Sequence, residues 1–264
     1  MDNKSDSNDA IIYLEKGKSC FESKKFEEAI KDYNKAIALD PNGHPGIYFN
    51  RGNAYASLKK YEEAIEDYDK ATDLDPDDPT IYNNRGTAYA KLGKYEEAIK
   101  DYDKAIALDP TLSVAYLNRG TAYLNLEKHE EAIENYSKAI TLDPTLSTAY
   151  LNRGIAYNNL EKYEDAIKDF DNTIDFDPDN PKVYLNRGLA FGYLKKHEEA
   201  IKDFNKAIDL DQDSSVTYLN RGYAYFYLKK YEDAIKDFDK AIALNPDNPT
   251  AYLNRGNAYN NLEK

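Results

Sequence analysis

The sequence predicts an all-α protein built as a linear array of helix pairs, on three observations. The triplet Asn-Arg-Gly stands at 50–52, 84–86, 118–120, 152–154, 186–188, 220–222 and 254–256, each copy 34 residues after the last. Around and between the triplets, residues such as Tyr116, Gly120 and Tyr123, or Ala98, Tyr102 and Ala105, fall at i, i+4 and i+7, which is the spacing of a helix face and not of a strand. The connectors are short and rich in Asp and Pro, for example Asp75-Pro76-Asp77-Asp78-Pro79. Loops that short force antiparallel neighbours, so the pairs stack.

Taken in order, residues 1–9 are polar and acidic and are expected as a disordered tail, and residues 10–264 form the solenoid. Its repeats run at about 10–43, 44–79, 80–113, 114–147, 148–181, 182–215 and 216–249, with a terminal helix at 250–264. First helices are expected near 10–23, 46–58, 80–92, 114–126, 148–160, 182–194, 216–228 and 250–262. Second helices follow near 26–38, 61–74, 95–108, 129–142, 163–176, 197–210 and 231–244. Proline sits just before or in the first turn of a helix, where it costs no hydrogen bond. Repeat one is degenerate, Tyr13-Leu14-Glu15-Lys16-Gly17, and an extra residue near 42–46 makes Gly17 to Gly52 a step of 35. The last helix keeps near-perfect repeat text without a polar outer face. That fits a fragment of a longer array better than a capping helix, and leaves end-to-end self-association through the uncapped helix as an expected contact.

A 34-residue period with large aromatic, Gly, Tyr, Ala, aromatic, Ala and Pro in that order resembles the tetratricopeptide repeat. Tyr48, Tyr82, Tyr116, Tyr150, Tyr184, Tyr218 and Tyr252 fill the family's Trp-like position, and Arg stands where the family usually has Leu. The resemblance implies a right-handed superhelical solenoid whose first helices line a concave groove. It also implies which residues face that groove: those at −6, −3, −2, +1, +4 and +5 from each repeat's Gly.

Composition excludes several function classes. Lys and Arg number 35 against 48 Asp and Glu, a formal charge of −13, which speaks against nucleic acid or an anionic membrane surface as partner. No apolar run approaches the ~20 residues of a membrane span, and no signal-peptide core opens the chain; a cytoplasmic protein without membrane insertion is the expectation. The one cysteine, Cys20, stands where later repeats have a framework tyrosine and is expected as a core residue. His44, His129 and His197 share no helix face, and the Asp-rich turns lack the Gly and Glu of a calcium loop, as at Asp78 and Asn84. No phosphate loop, nucleophile elbow or Cys-His pairing appears. No cofactor, no metal and no enzyme activity are therefore expected.

Three signals rise above the repeat background. Arg51, Arg85, Arg119, Arg153, Arg187, Arg221 and Arg255 are the only arginines, and every other base is Lys or His. The flat guanidinium fork does what Lys cannot, so structural ion pairs are expected with a second-helix Asp: Asp67, Asp101, Asp169, Asp203 or Asp237. Repeat four has Asn135 there, so Arg119→Lys should cost less than Arg153→Lys. Of the 25 tyrosines, all but Tyr193, Tyr223 and Tyr227 hold framework positions. Those three, with Phe226, Phe21 and Phe49 and a column of Leu117, Leu151, Leu185, Leu219 and Leu253, are expected to make the groove apolar with aromatic ends.

Asn50, Asn84, Asn118, Asn152, Asn186, Asn220 and Asn254 supply the third signal, since Asn is a poor helix-interior residue and all seven take one groove position. The pattern resembles the asparagine ladder of the tetratricopeptide region of O-GlcNAc transferase, which implies amides holding the backbone of an extended peptide. Amides that tie adjacent first helices together are the other reading. The expected function is a non-catalytic scaffold that binds extended segments of other proteins. Its alternatives are the substrate-targeting region of a larger, glycosyltransferase-like enzyme and a co-chaperone adaptor. The chaperone-tail clamp of the family is largely missing, because Leu14, Phe49, Asn83 and Leu117 hold positions where that clamp has Lys.

Overall fold

The computed structural model describes residues 3–41 and 44–262, with side chains from residue 8 onward. Among the described residues there are fifteen α-helices and no strands: α1 (Asn3–Glu22), α2 (Phe26–Leu39), α3 (Pro45–Ser57), α4 (Tyr61–Leu74), α5 (Pro79–Lys91), α6 (Tyr95–Leu108), α7 (Ser113–Asn125), α8 (His129–Leu142), α9 (Ser147–Asn159), α10 (Tyr163–Phe176), α11 (Pro181–Tyr193), α12 (His197–Leu210), α13 (Ser215–Tyr227), α14 (Tyr231–Leu244) and α15 (Pro249–Leu262). The fold is an all-α helical repeat solenoid. It divides into two compact units, residues 1–142 and 143–264.

The helix bounds follow from local chemistry. Pro45, Pro79 and Pro181 open α3, α5 and α11 at the first turn, and Asp78 and Asn180 accept the free backbone N–H groups of Thr80 and Lys182. The seven first helices from α1 to α13 end in the same turn, where a residue in the left-handed region lets a later N–H reach back, as when the N–H of Lys60 donates to the Tyr55 carbonyl. Glycine takes that place at Gly93 with φ +75°, whereas Lys24, Lys59, Glu127, Glu161, Lys195 and Lys229 adopt it with a side chain. One expectation is corrected: α1 begins at Asn3, so residues 3–9 are helical and not a disordered tail. Residues 42 and 43, part of the expected insertion, lie outside the described residues.

In each unit the first helix of every pair packs on its own second helix and neighbouring first helices touch, α15 resting on α14 and α13, while second helices do not touch one another. The first helices thus form the closer-spaced layer. The core of a repeat is a glycine under an aromatic ring: a Cβ on Gly52 would stand 2.8 Å from Tyr68 Cε1, and one on Gly154 2.6 Å from Phe170 Cε1. Tyr33, Tyr68, Tyr102, Tyr136, Phe170, Phe204 and Phe238 are the rings so placed, all fully buried or nearly so. Alanines close the rest of each interface, among them Ala64, Ala98, Ala166 and Ala234. No described helix is long and apolar enough to cross a membrane. Cys20 is half-buried beside the first cluster.

Candidate functional site: the first-helix face

The arginines sit on the framework side of this face, and Arg51, Arg85, Arg119, Arg187 and Arg221 each link three helices. In Arg187, Nε and Nη2 donate to the two carboxylate oxygens of Asp203 at 2.8 and 2.7 Å, and Nη1 donates to Asp171 of the preceding second helix at 2.5 Å. The guanidinium lies 5.8 Å from the Tyr184 ring centre. The fork repeats in Arg51–Asp67, Arg85–Asp101, Arg153–Asp169 and Arg221–Asp237. Asn34, Asp69, Asp103, Asn205 and Asp239 accept the third arm from Arg51, Arg85, Arg119, Arg221 and Arg255. The bond to the preceding repeat was not expected from the sequence, although its acceptors recur at the same period as the arginines. Arg119 gives Nε to Asn135 at 2.7 Å, as its repeat predicts, and keeps a carboxylate in Asp103. Burial pushes the carboxyls of Asp67, Asp169, Asp203 and Asp237 above the usual range, against the pull of the paired guanidinium.

The asparagines do not behave alike. Where the residue one place after the preceding repeat's glycine is Asn53 or Thr87, the amide crosses to the preceding first helix: Asn84 Nδ2 donates to Asn53 Oδ1 at 3.0 Å, and Asn118 Nδ2 to Asn83 Oδ1 at 3.1 Å and Thr87 Oγ1 at 3.5 Å. Where it is Lys18, Ile155 or Leu189 the amide folds back on its own helix. Asn50, Asn186 and Asn220 donate to the carbonyls of Gly46, Lys182 and Val216 at 2.6–2.8 Å. Asn152 is half-buried, and Asn254 Nδ2 is buried with no hydrogen-bond partner among the described residues. The ladder is therefore part internal tie and part uncommitted amide. Asn84→Ala should lower the melting temperature, since a net hydrogen bond of about 1 kcal/mol exceeds the helix propensity gained. Asn220→Ala should leave it unchanged or raise it, because back-bonding to the i−4 carbonyl adds little.

The same offset sets the polarity of the face. In residues 1–142 the buried rings are tyrosines, and the hydroxyls of Tyr68, Tyr102 and Tyr136 donate to Asn53, Thr87 and Thr121; burial raises the Tyr102 phenol to about 12. In residues 143–264 the rings are phenylalanines and the facing residues are Ile155, Leu189 and Tyr223, so the floor turns apolar. On it stand Tyr193 and Tyr227, 65% and 64% exposed, with the half-buried Tyr223 edge-on to Phe238 and Phe226 against Tyr231. Tyr193 stacks on Tyr163 at 4.9 Å, and Tyr227 on His197 at 5.1 Å. Leu189, Gly192, Tyr193, Lys195, His197, Phe204, Asn220, Tyr223, Ala224 and Tyr227 enclose a cavity of about 640 Å³. The place equivalent to it in residues 1–142, between Asn53 and Asn84, is a cleft of about 390 Å³ whose floor the Asn53–Asn84 bond closes.

The leucine column is mostly framework, against expectation. Leu151 is 8% exposed among Ala166, Phe170 and Val183, and Leu185 and Leu219 pack on neighbouring clusters. Consecutive first helices approach closely enough to consume those side chains. Leu117 is half-buried, and Leu253 alone in the column is exposed, at 65%. Phe49 packs 6.0 Å from the Tyr68 ring and Phe21 5.3 Å from Phe26.

Tetratricopeptide repeat models match residues 79–112, 113–146, 147–180 and 181–214, and a TPR repeat model matches 17–59, 52–93 and 222–262. The chain belongs to the tetratricopeptide repeat family. Similar folds include the C-terminal part of a TPR repeat-containing protein from Cytophaga hutchinsonii, at TM-score 0.73 and 23% identity over 91% of this chain and 98% of that one. YrrB, a TPR protein with an unusual peptide-binding site, aligns at TM-score 0.63 and 24% identity over 72% of this chain and 97% of its own. A chain of the APC/C hetero-tetramer Cut9-Hcn1 aligns at TM-score 0.68 and 18% identity over 88% of this chain, which spans 52% of that one. No curated protein matches the sequence. TPR arrays are typically protein-interaction scaffolds and generally non-catalytic.

Proposed function

We propose that this chain is a non-catalytic scaffold that holds an extended segment of a partner protein along the first-helix face of residues 143–264. Asn186 and Asn220 meet the backbone of the segment, and Tyr193, Tyr223 and Tyr227 take its apolar side chains. The observation that carries the reading is the contrast between this face and the rest of the molecule. From α3 onward no first helix contains Asp or Glu, in a chain with 48 acidic residues, and the same face exposes two tyrosines that no packing demand explains. Large exposed aromatics next to amides are what binding surfaces use.

The spacing fits an extended chain. Helices in contact lie ~8–10 Å apart and an extended peptide advances ~3.3 Å per residue, so one amide meets about every third residue. Each carboxamide has a donor and an acceptor for a peptide group, and those of Asn186 and Asn220 give up only a bond to their own helix. That YrrB, similar in fold, carries a peptide-binding site supports the choice of ligand class. An adaptor for acidic chaperone tails fits less well, since no Lys or Arg is offered at the −3 positions of this face.

The test is selection of binders from a random-peptide library, followed by fluorescence anisotropy against variants. Asn186→Ala with Asn220→Ala, and separately Tyr227→Ser, should weaken the selected peptides by about tenfold or more, or 1.4 kcal/mol, with helical content unchanged by circular dichroism. Selected peptides that bind all these variants as they bind the parent would refute the reading.

A further inference from the structure

Gly192 lies inside α11 with no backbone reason to be glycine: its φ is not positive, and a Cβ built on it would meet nothing within 4 Å. The other interior glycines of residues 143–249, Gly154, Gly188 and Gly222, stand under a ring at 2.6–2.7 Å. A helix-interior Gly costs stability relative to Ala, so an unforced one asks for a use. Its position lines the cavity of about 640 Å³, and the equivalent place one repeat later holds Phe226. Gly192 keeps that volume open.

What the walls would accept follows from their chemistry. Leu189, Phe204 and Ala224 make the floor, and the stacked pairs Tyr163–Tyr193 and His197–Tyr227 hold two rings flat, with Tyr223 also in the lining. No carboxylate lines the cavity; Lys195 does, and it has no ion pair among the described residues. A cationic side chain would find no counter-charge there and a lysine beside it. An aromatic side chain finds faces and edges to pack on, and a carboxylate next to it finds Lys195. We propose that this cavity receives one aromatic side chain of the bound segment, with an acidic residue adjacent to it in the partner's sequence meeting Lys195. The inference rests on the extended-segment reading above and names the ligand at one place in it.

The chain contains no Trp, so a capped peptide Gly-Ser-Asp-Trp-Gly-Ser is the only indole in a titration. Its emission should shift blue and saturate with the protein. Replacing its Asp by Lys should weaken binding severalfold, and that difference should vanish in Lys195→Asn, a residue tolerated at the positive φ of this position. Gly192→Phe should fill the cavity and cut affinity by about tenfold or more. Gly192→Ala should bind and melt at a higher temperature than the parent, which separates filling from unfolding. Three results each overturn the proposal: no saturable shift, equal binding by Gly192→Phe, or an Arg-for-Trp peptide that binds as tightly. Library peptides that lack aromatics yet still lose affinity in the paired Asn186 and Asn220 variant would remove the pocket and leave the extended-segment reading standing.

Discussion

Arg187→Met lowers the stability of the α11–α13 region by about 3–5 kcal/mol, the cost of leaving a buried charge without its partner. The residue left behind is Asp203, 5% exposed, which then keeps no guanidinium, and Asp171 loses its partner as well. Hydrogen exchange of the α11–α13 amides in increasing urea reads this locally, which suits an array whose stability is carried by nearest neighbours. Arg187→Lys should cost more than Arg119→Lys, because Arg187 has two carboxylates and Arg119 has Asn135 and one. Equal losses would mean that the fork to the repeat's own second helix contributes nothing beyond the arm to the preceding one.

Asp203→Asn should be mild at neutral pH, as Asn135 already shows the amide to be compatible with the site. Its pH dependence has a definite sign. Burial holds the native carboxyl above its unfolded value, so the stability tied to its titration is present at acid pH and lost as pH rises through the native value. The penalty of Asp203→Asn therefore grows as the solution is acidified; a penalty that shrinks instead would show the guanidinium outweighing desolvation.

Gly154→Ala is the second large effect. The new methyl would lie 2.6 Å from Phe170 Cε1 and 3.0 Å from its Cζ, inside a core that holds the ring fully buried. Overpacking costs about 1–3 kcal/mol and outweighs the helix propensity gained. Gly256→Ala is the control: the same substitution at the same repeat position meets nothing within 4 Å and should stabilise α15 by up to about 1 kcal/mol. Thermal melts of the two variants should move in opposite directions. Shifts of the same sign would show that the ring over Gly154 moves aside freely.

The helices were legible because periodic text repeats the same local rules. All second helices from α4 onward fall where the spacing put them, and first helices start one residue early because Pro or Ser opens the turn. Residues 3–9 were misread because a polar segment carries no periodicity to show that it extends α1. In the site, position was legible but commitment was not. The asparagines share one offset, yet Asn84 crosses to Asn53 while Asn220 turns back to Val216, and the repeat text at that offset is the same in both. Leu151 was misassigned for a related reason, since its offset faces the first-helix layer and only the closeness of α11 makes it core. The third arm of each arginine could have been found in the sequence, as Asp69, Asp103, Asp171 and Asp239 keep the same period.

That third arm makes the array editable. Arg187 takes acceptors 16 residues away on either side, Asp203 and Asp171, and Arg221 does the same with Asp237 and Asn205. Excising residues 182–215 as a block would bring Arg221 to the place Arg187 had, with Asp171 waiting at the matching distance in sequence. A gene that gains or loses one whole period thus rejoins its ionic stitches at the seam, and a single extra residue confined to a connector is absorbed too, since Arg51 still reaches Asn34 from 17 residues away. Lineages of such chains can change length by whole steps without a compensating point mutation.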